Sequence, residues 1–124
     1  MPRFVVLTHD HPTLHWDLML EKEAILRTWR LSQPADSTSE ILSEALPPHR
    51  LAYLDYEGPV SGNRGRVVCW DRGEYDPIVD REEFVEVNLH GGRLNGRAVL
   101  RRAADGTGWR FYFTASSSPS STPA

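Results

Sequence analysis

The sequence has a single cysteine, Cys69, so neither an intrachain disulfide framework nor a multi-cysteine zinc site can hold it together. It has a single lysine, Lys22, against 13 arginines. No apolar run approaches the roughly 20 residues that span a bilayer, and the start, Met1-Pro2-Arg3-Phe4, lacks the long apolar stretch of a signal peptide. A cytoplasmic protein with no membrane partner is the expectation. Basic residues are outnumbered, 14 to 17, for a net charge of −3. Overall attraction to a polyanion is excluded, and any nucleic-acid contact must come from a local cluster. There is no Gly-x-x-x-x-Gly-Lys-Ser/Thr loop and no Gly-x-Gly-x-x-Gly after a strand. Ser61 lacks a nucleophile elbow, and Cys69, in the apolar run Val67-Val68-Cys69-Trp70, reads as a buried inert thiol.

What is present is ordinary for one globular domain: 124 residues, 40% hydrophobic and 25% charged. Residues 115–124 contain only Ala, Ser, Pro and Thr. They cannot offset the entropy of ordering, so a disordered tail is expected there and the domain is placed at 1–114. Short strand-like segments dominate the rest. Phe4 to Thr8 is an apolar β-branched run. Leu14 to Glu21 alternates strictly, and Ala24 to Leu31 follows after a charged turn as in a hairpin. Arg66–Trp70, Phe84–Leu89, Arg97–Arg101 and Trp109–Thr114 add four more strands, separated by Gly-Asn, Asp-Arg-Gly, Gly-Gly and Asp-Gly turns. The spacing predicts a mainly β protein, a small antiparallel barrel or sandwich. One short helix is predicted where Ser37 and Glu40 form a capping box ahead of Ile41, Leu42, Ala45 and Leu46, ended by Pro47-Pro48.

Three of the five histidines fall between Thr8 and Asp17. His15 and Asp17 are two apart on an alternating strand, so both point one way, and His9 ends the preceding strand. Two imidazoles and a carboxylate suit Mn²⁺, Fe²⁺ or Zn²⁺ with positions left open for water or substrate. Read alone, the spacing is weakly specific, and a His-x-Asp pair on a strand is more often a surface pair or a hydrogen-bonded polar couple. His11, before Pro12, falls in the turn. Leu14, Trp16, Leu18 and Leu20 claim a hydrophobic layer, which leaves His15, Asp17, Met19 and Glu21 to solvent or to a polar barrel interior. Farther on, His49 and Tyr53 share a face if extended. They could grip a phosphoryl oxygen or protonate a leaving group, or be an ordinary core pair.

Taken in order, these clusters resemble a family. His-Asp, then Leu-His-Trp-Asp-x-x-Leu-Glu, then Trp, then His49-x-Leu51-x-Tyr53-x-Asp55-Tyr56-Glu57-Gly58, then Trp70-Asp71-Arg72-Gly73, then Leu89-His90-Gly91-Gly92-Arg93-Leu94-Asn95-Gly96-Arg97 are similar to the 3′-phosphoesterase domain of bacterial ATP-dependent DNA ligase D and its stand-alone relatives. The resemblance runs over about residues 4–113. It implies a small antiparallel β-barrel with a polar interior and one or two short flanking helices. It also implies Mn²⁺-dependent removal of a terminal ribonucleoside and then of the 3′-phosphate from a primer–template end, with a repair ligase or polymerase as partner. The metal ligands would be His9, His15 and Asp17, with Zn²⁺ or another divalent transition metal as an alternative ion. His49 would be the catalytic histidine and Tyr53 its phosphate-orienting companion. Asp10 would steer an imidazole by hydrogen bonding. The chain departs from the family where Met19, Gln33 and Ile41 stand at cationic positions, and its glycine loop is shorter. Arg30, Arg50 and Arg64 are then the candidate phosphate contacts. The competing expectations are an end-binding or scaffold module of weak or no activity, and a phosphoesterase for small molecules.

Overall fold

Alternation of apolar and polar side chains dictates most of the strands seen in the computed structural model, which describes residues 1–106 and 108–116. In chain order they are β1 (Arg3–His9), β2 (His15–Lys22), β3 (Ile25–Leu31), β4 (Ile41–His49), β5 (Gly58–Pro59), β6 (Arg66–Asp80), β7 (Phe84–Gly91), β8 (Asn95–Arg102) and β9 (Trp109–Ala115). Neighbours run β1-β2-β3-β4-β9-β8-β7-β6, all antiparallel, and β6 pairs back onto β1 to close an eight-stranded barrel. The short β5 adds only a two-residue ladder on β6. β6 closes the barrel by pairing twice, with β1 along its first half and with β7 along its second. A bulge within the β1 ladder, opposite Val6 and Leu7, bends it before the β7 pairing begins.

Every barrel strand contributes to one apolar cluster, and only the lumen can be touched by all eight. Phe4 and Val6, Leu18 and Leu20, Trp29 and Leu31, Ile41, Tyr75, Val87 and Leu89, Ala98 and Leu100, and Phe111 and Phe113 fill it. The barrel is as expected, but its interior is apolar rather than polar. Inward positions of a narrow eight-stranded barrel must be filled by side chains, and burying unpaired polar groups there would be costly. One carboxylate is accommodated. Asp71, buried, accepts the N–H groups of Gly92, Arg93 and Leu94 at 2.9, 3.0 and 2.8 Å, tying the β7–β8 turn to β6.

The outer face of β1, β2, β3 and β6 carries a second cluster: Val5, Leu7, Met19, Leu26 and Val67, covered by Leu54. Leu54 ends a single 3₁₀ turn, Leu51–Leu54, the only helical element among the described residues. The predicted helix over Ser37–Leu46 is therefore corrected to strand. Ile41 is buried in the lumen, Leu42 is exposed and Ser43 is buried, a period of two set by pairing with β3 and β9 that overrides the local capping signal. Pro47 and Pro48 sit where the β3–β4 register shifts, so their missing N–H groups interrupt no regular ladder. At the C-terminal boundary, Ala115 still pairs with Gly96 and the Ser116 N–H donates to the Asn95 carbonyl. The rest of the expected tail, 117–124, lies outside the described residues. No described helix is long and apolar enough to cross a membrane.

Candidate metal centre

The register of β1 on β2 brings the metal candidates together. His9 lies opposite His15 and Leu7 opposite Asp17, so the three side chains share the outer face beside the second apolar cluster. One donor atom from each lies within 4.8 Å of the others. The polar cavity expected inside the barrel is thus outside it, on the opposite face from the lumen.

Backbone carbonyls set both histidine tautomers. His15 Nδ1–H donates to the Thr13 carbonyl at 2.9 Å, and His9 Nε2–H donates to the Arg64 carbonyl at 2.7 Å. A carbonyl only accepts, so the lone pairs are left on His15 Nε2 and His9 Nδ1. Those atoms face the carboxylate, His15 Nε2 at 3.3 Å from Asp17 Oδ1 and His9 Nδ1 at 3.6 Å from Asp17 Oδ2. His15 Nε2 and Asp17 Oδ1 are buried and neither completes a hydrogen bond. Two orphaned acceptors converging on one point are what a divalent cation satisfies, and the donor set fits one. The same geometry draws protons. Burial disfavours charge on the His15 imidazole, but the Asp17 carboxylate and the Thr13 carbonyl outweigh it and raise its pKa above the ordinary histidine value.

Asp10 is not the residue that steers an imidazole; the carbonyls of Thr13 and Arg64 do that. Its Oδ1 accepts the Arg66 N–H at 2.8 Å, a bond that also holds its carboxyl below the usual range. Asp10 thereby anchors the loop whose Arg64 carbonyl fixes His9. Gly65 makes the approach feasible: its φ is +76°, and a Cβ there would lie 2.2 Å from Asp10 Oδ1.

His49, at the end of β4, and Tyr53, in the 3₁₀ turn, face the centre across a cavity of about 80 Å³ that His9, Asp17, Met19 and Arg64 also line. His49 Nδ1–H donates to the Pro47 carbonyl at 2.9 Å, which leaves Nε2 free. Its ring packs edge to face on Tyr53 at 5.6 Å. On the other side of His15 lies an open groove of about 360 Å³ bordered by Arg30, which the β2–β3 register sets opposite Asp17. Of the candidate phosphate contacts, Arg30 and Arg64 therefore flank the centre. The Arg64 guanidinium bonds the Ser61 carbonyl and hydroxyl at 2.6 and 3.1 Å. Arg50 instead borders a separate cleft with Tyr53 and Tyr56.

The three family departures each acquire a position. Met19 is buried in the cavity wall, a thioether where a cation was expected. Ile41 points into the lumen, so no side chain at that position reaches the centre. Gln33 is exposed just beyond β3. Sequence reasoning missed the carbonyls of Thr13 and Arg64, since every residue carries a carbonyl and no side-chain pattern marks these two. It also gave Glu57 no role, although its Oε2 accepts the Cys69 N–H at 2.7 Å and ties the covering segment to β6.

Residues 7–102 match the family described as the DNA ligase D 3′-phosphoesterase domain. The chain is 33% identical over 115 residues to the multifunctional non-homologous end joining protein LigD of Mycobacterium bovis, covering 86% of this chain and 15% of that protein. It is 33% identical over 110 residues to the protein of the same name in Pseudomonas aeruginosa, covering 81% and 13%. For the Mycolicibacterium smegmatis protein the figures are 27% over 114 residues, 79% and 15%. The chain spans about 15% of the length of these relatives. The matched region takes in His9, His15 and Asp17, the His49–Tyr53 segment and the strands that close the barrel, and the chain belongs to the DNA ligase D 3′-phosphoesterase domain family.

Proposed function

We propose that the chain is a divalent-metal-dependent phosphoesterase acting on nucleic-acid 3′ ends, in the end processing that accompanies non-homologous joining. The observation that carries this reading is the convergence of His9 Nδ1, His15 Nε2 and Asp17, with both tautomers fixed by carbonyls and two buried atoms left without partners. A Mn²⁺ ion held there, or Zn²⁺ in its place, would polarise a phosphoryl oxygen and stabilise the charge that grows on it. The Pro47 carbonyl accepts from His49 Nδ1–H and leaves Nε2 for the substrate, so His49 in its imidazolium form would donate Nε2–H to the departing oxygen as a hydrogen bond or a proton. The Tyr53 hydroxyl orients a phosphate oxygen, and Arg30 and Arg64 contribute positive charge from either side. The substrate is a primer–template end carrying a terminal ribonucleoside or a 3′-phosphate, and a repair ligase or polymerase takes up the resulting hydroxyl.

The test is a primer–template with one 3′ ribonucleotide, incubated with Mn²⁺ or with chelator. Wild type should shorten the primer by one nucleoside and then release phosphate only with metal, and His15→Ala should do neither. A wild type that behaves like His15→Ala refutes the reading. The second reading, an end-binding module of the same fold, is favoured by Met19. A thioether there gives a phosphate no charge-assisted hydrogen bond, an interaction worth about 1.5–3 kcal/mol. Metal and substrate binding without turnover would select it.

A further inference from the structure

The chain is acidic overall, yet three arginines of the outer sheet are arranged in register with the metal centre. His15 neighbours Ser32, since Trp16 pairs with Leu31. Ser32 neighbours Leu42, bonding its carbonyl through both N–H and hydroxyl. Leu42 pairs with Arg110, and Arg110 with Arg101. These positions form one row across β2, β3, β4, β9 and β8. At about 4.8 Å per strand it measures roughly 19 Å along the sheet, or five to six nucleotide steps at about 3.4 Å each. The open groove beside His15 occupies its first part, with Arg30 and Ser32 between the exposed leucines Leu14 and Leu42.

The ion pairs of this row, and of the adjacent row that runs from Asp17 through Arg30 to Glu44, are loose. Arg30 meets Glu44 at 3.8 Å, Arg110 meets Glu40 at 3.6 Å and Arg101 meets the same Glu40 at 3.9 Å. Closer approach is reached elsewhere on the protein by Arg3 with Asp55 at 2.7 Å and Arg27 with Asp80 at 3.1 Å. One carboxylate is shared by two guanidiniums, and the buried Nε of Arg30 has no partner. Three arginines facing two glutamates at these distances keep net positive charge and unused donors, and planar donors match phosphate oxygens.

We propose that this row is the track for the nucleic acid leading to the processed 3′ end. Arg30 takes the phosphate next to the centre, Leu14 and Leu42 pack on the sugar and base edges in the groove, and Arg110 and Arg101 take phosphates farther from the end. The track rests on the reading of the chain as a nucleic-acid end phosphoesterase and adds to it the direction in which the substrate lies.

The experiment measures binding of a fluorescent primer–template with a 3′ ribonucleotide to the Mn²⁺-loaded full chain, by anisotropy across a salt series. Arg101→Gln/Arg110→Gln should weaken binding about ten-fold at low salt and lower the log–log salt slope by about two, since each phosphate neutralised contributes about 0.9. Mn²⁺ affinity should be unchanged, which reports an intact fold. Arg81→Gln, a charge removed at the β6–β7 turn, should leave both affinity and slope near wild type. A double variant with wild-type slope, or an Arg81→Gln effect of the same size per charge, overturns the track. If wild type still trims the end in either case, the phosphoesterase reading stands without it. If wild type neither binds nor trims, both fall.

Discussion

Asp17→Asn should stabilise the metal-free protein and abolish its response to Mn²⁺. Asp17 is 3% exposed, and its Oδ1 has no hydrogen-bond partner. Leaving a buried polar acceptor unsatisfied costs about 1–3 kcal/mol, and more when it is ionised. The amide has nearly the same shape and no charge, so a gain of about 1–3 kcal/mol is expected where no proton or metal compensates the carboxylate. The pH must be chosen with the sign in mind. The His15 pKa is raised in the fold: burial works against the charge, and the Asp17 carboxylate and Thr13 carbonyl outweigh it. That attraction stabilises the fold fully below the unfolded histidine value of about 6.5, and it is lost as pH rises through the raised folded value. The advantage of Asn is therefore greatest in mild alkali and shrinks toward about pH 6. Urea denaturation at about pH 8.5 with chelator measures it, well above the ordinary histidine range. Added Mn²⁺ at about a hundred times its Kd should stabilise wild type by about 2.7 kcal/mol and leave Asp17→Asn unmoved, reversing or closing the gap. A metal-free variant less stable than wild type under those conditions, or equal gains from Mn²⁺, would refute the picture of an uncompensated carboxylate awaiting a cation.

Asp10→Ala should weaken Mn²⁺ binding about ten-fold by calorimetry, because residues that orient a ligand are worth about 10–100-fold and Asp10 acts through the Arg64 carbonyl. Asp10→Asn, which keeps an acceptor, should lose much less, and equal affinities in Asp10→Ala and wild type would contradict the role. Asp71→Ala strands three N–H groups bonded at 2.8–3.0 Å and should cost about 3–5 kcal/mol in urea denaturation, against about 1 kcal/mol or less if the turn rearranges to satisfy them. His49→Ala should lower kcat on the primer–template about 10²–10⁴-fold with Mn²⁺ affinity unchanged, and a loss of metal binding would place His49 among the ligands instead.

Much of the barrel could be read from the sequence because period-two patterning is local. Phe4–Thr8, Leu14–Glu21 and Trp109–Thr114 announce themselves, and each is a strand within a residue or two. Ile41–His49 does not, since a capping serine and two prolines are local signals of a helix end, while the strand exists only because β3 and β9 lie on either side of it. The candidate ligands were legible for the same reason as the strands. Alternation puts His15 and Asp17 on one side, and a short connection returns His9 to them.

Which side that is could not be read. Met19 and the His15–Asp17 pair share a face with apolar Val5 and Leu7, and both faces of β1 and β2 are buried. Strand alternation separates two faces without saying which becomes a lumen. That depends on closure, and the interior of an eight-stranded barrel is just wide enough for packed side chains to fill, as they do here. Closure therefore fills the inside with Phe4, Trp29 and Phe111 and leaves the histidines on the outer wall. Local pattern was enough for the strands, the candidate ligand residues and the net negative charge of the chain. Long-range pairing was needed for the rest: the Thr13 and Arg64 carbonyls that orient the imidazoles, the loop through which Asp10 acts, and the register of Arg30, Arg110 and Arg101 with the centre. Those relations join residues up to 95 positions apart through the backbone, and pairing between distant strands is encoded by no local pattern.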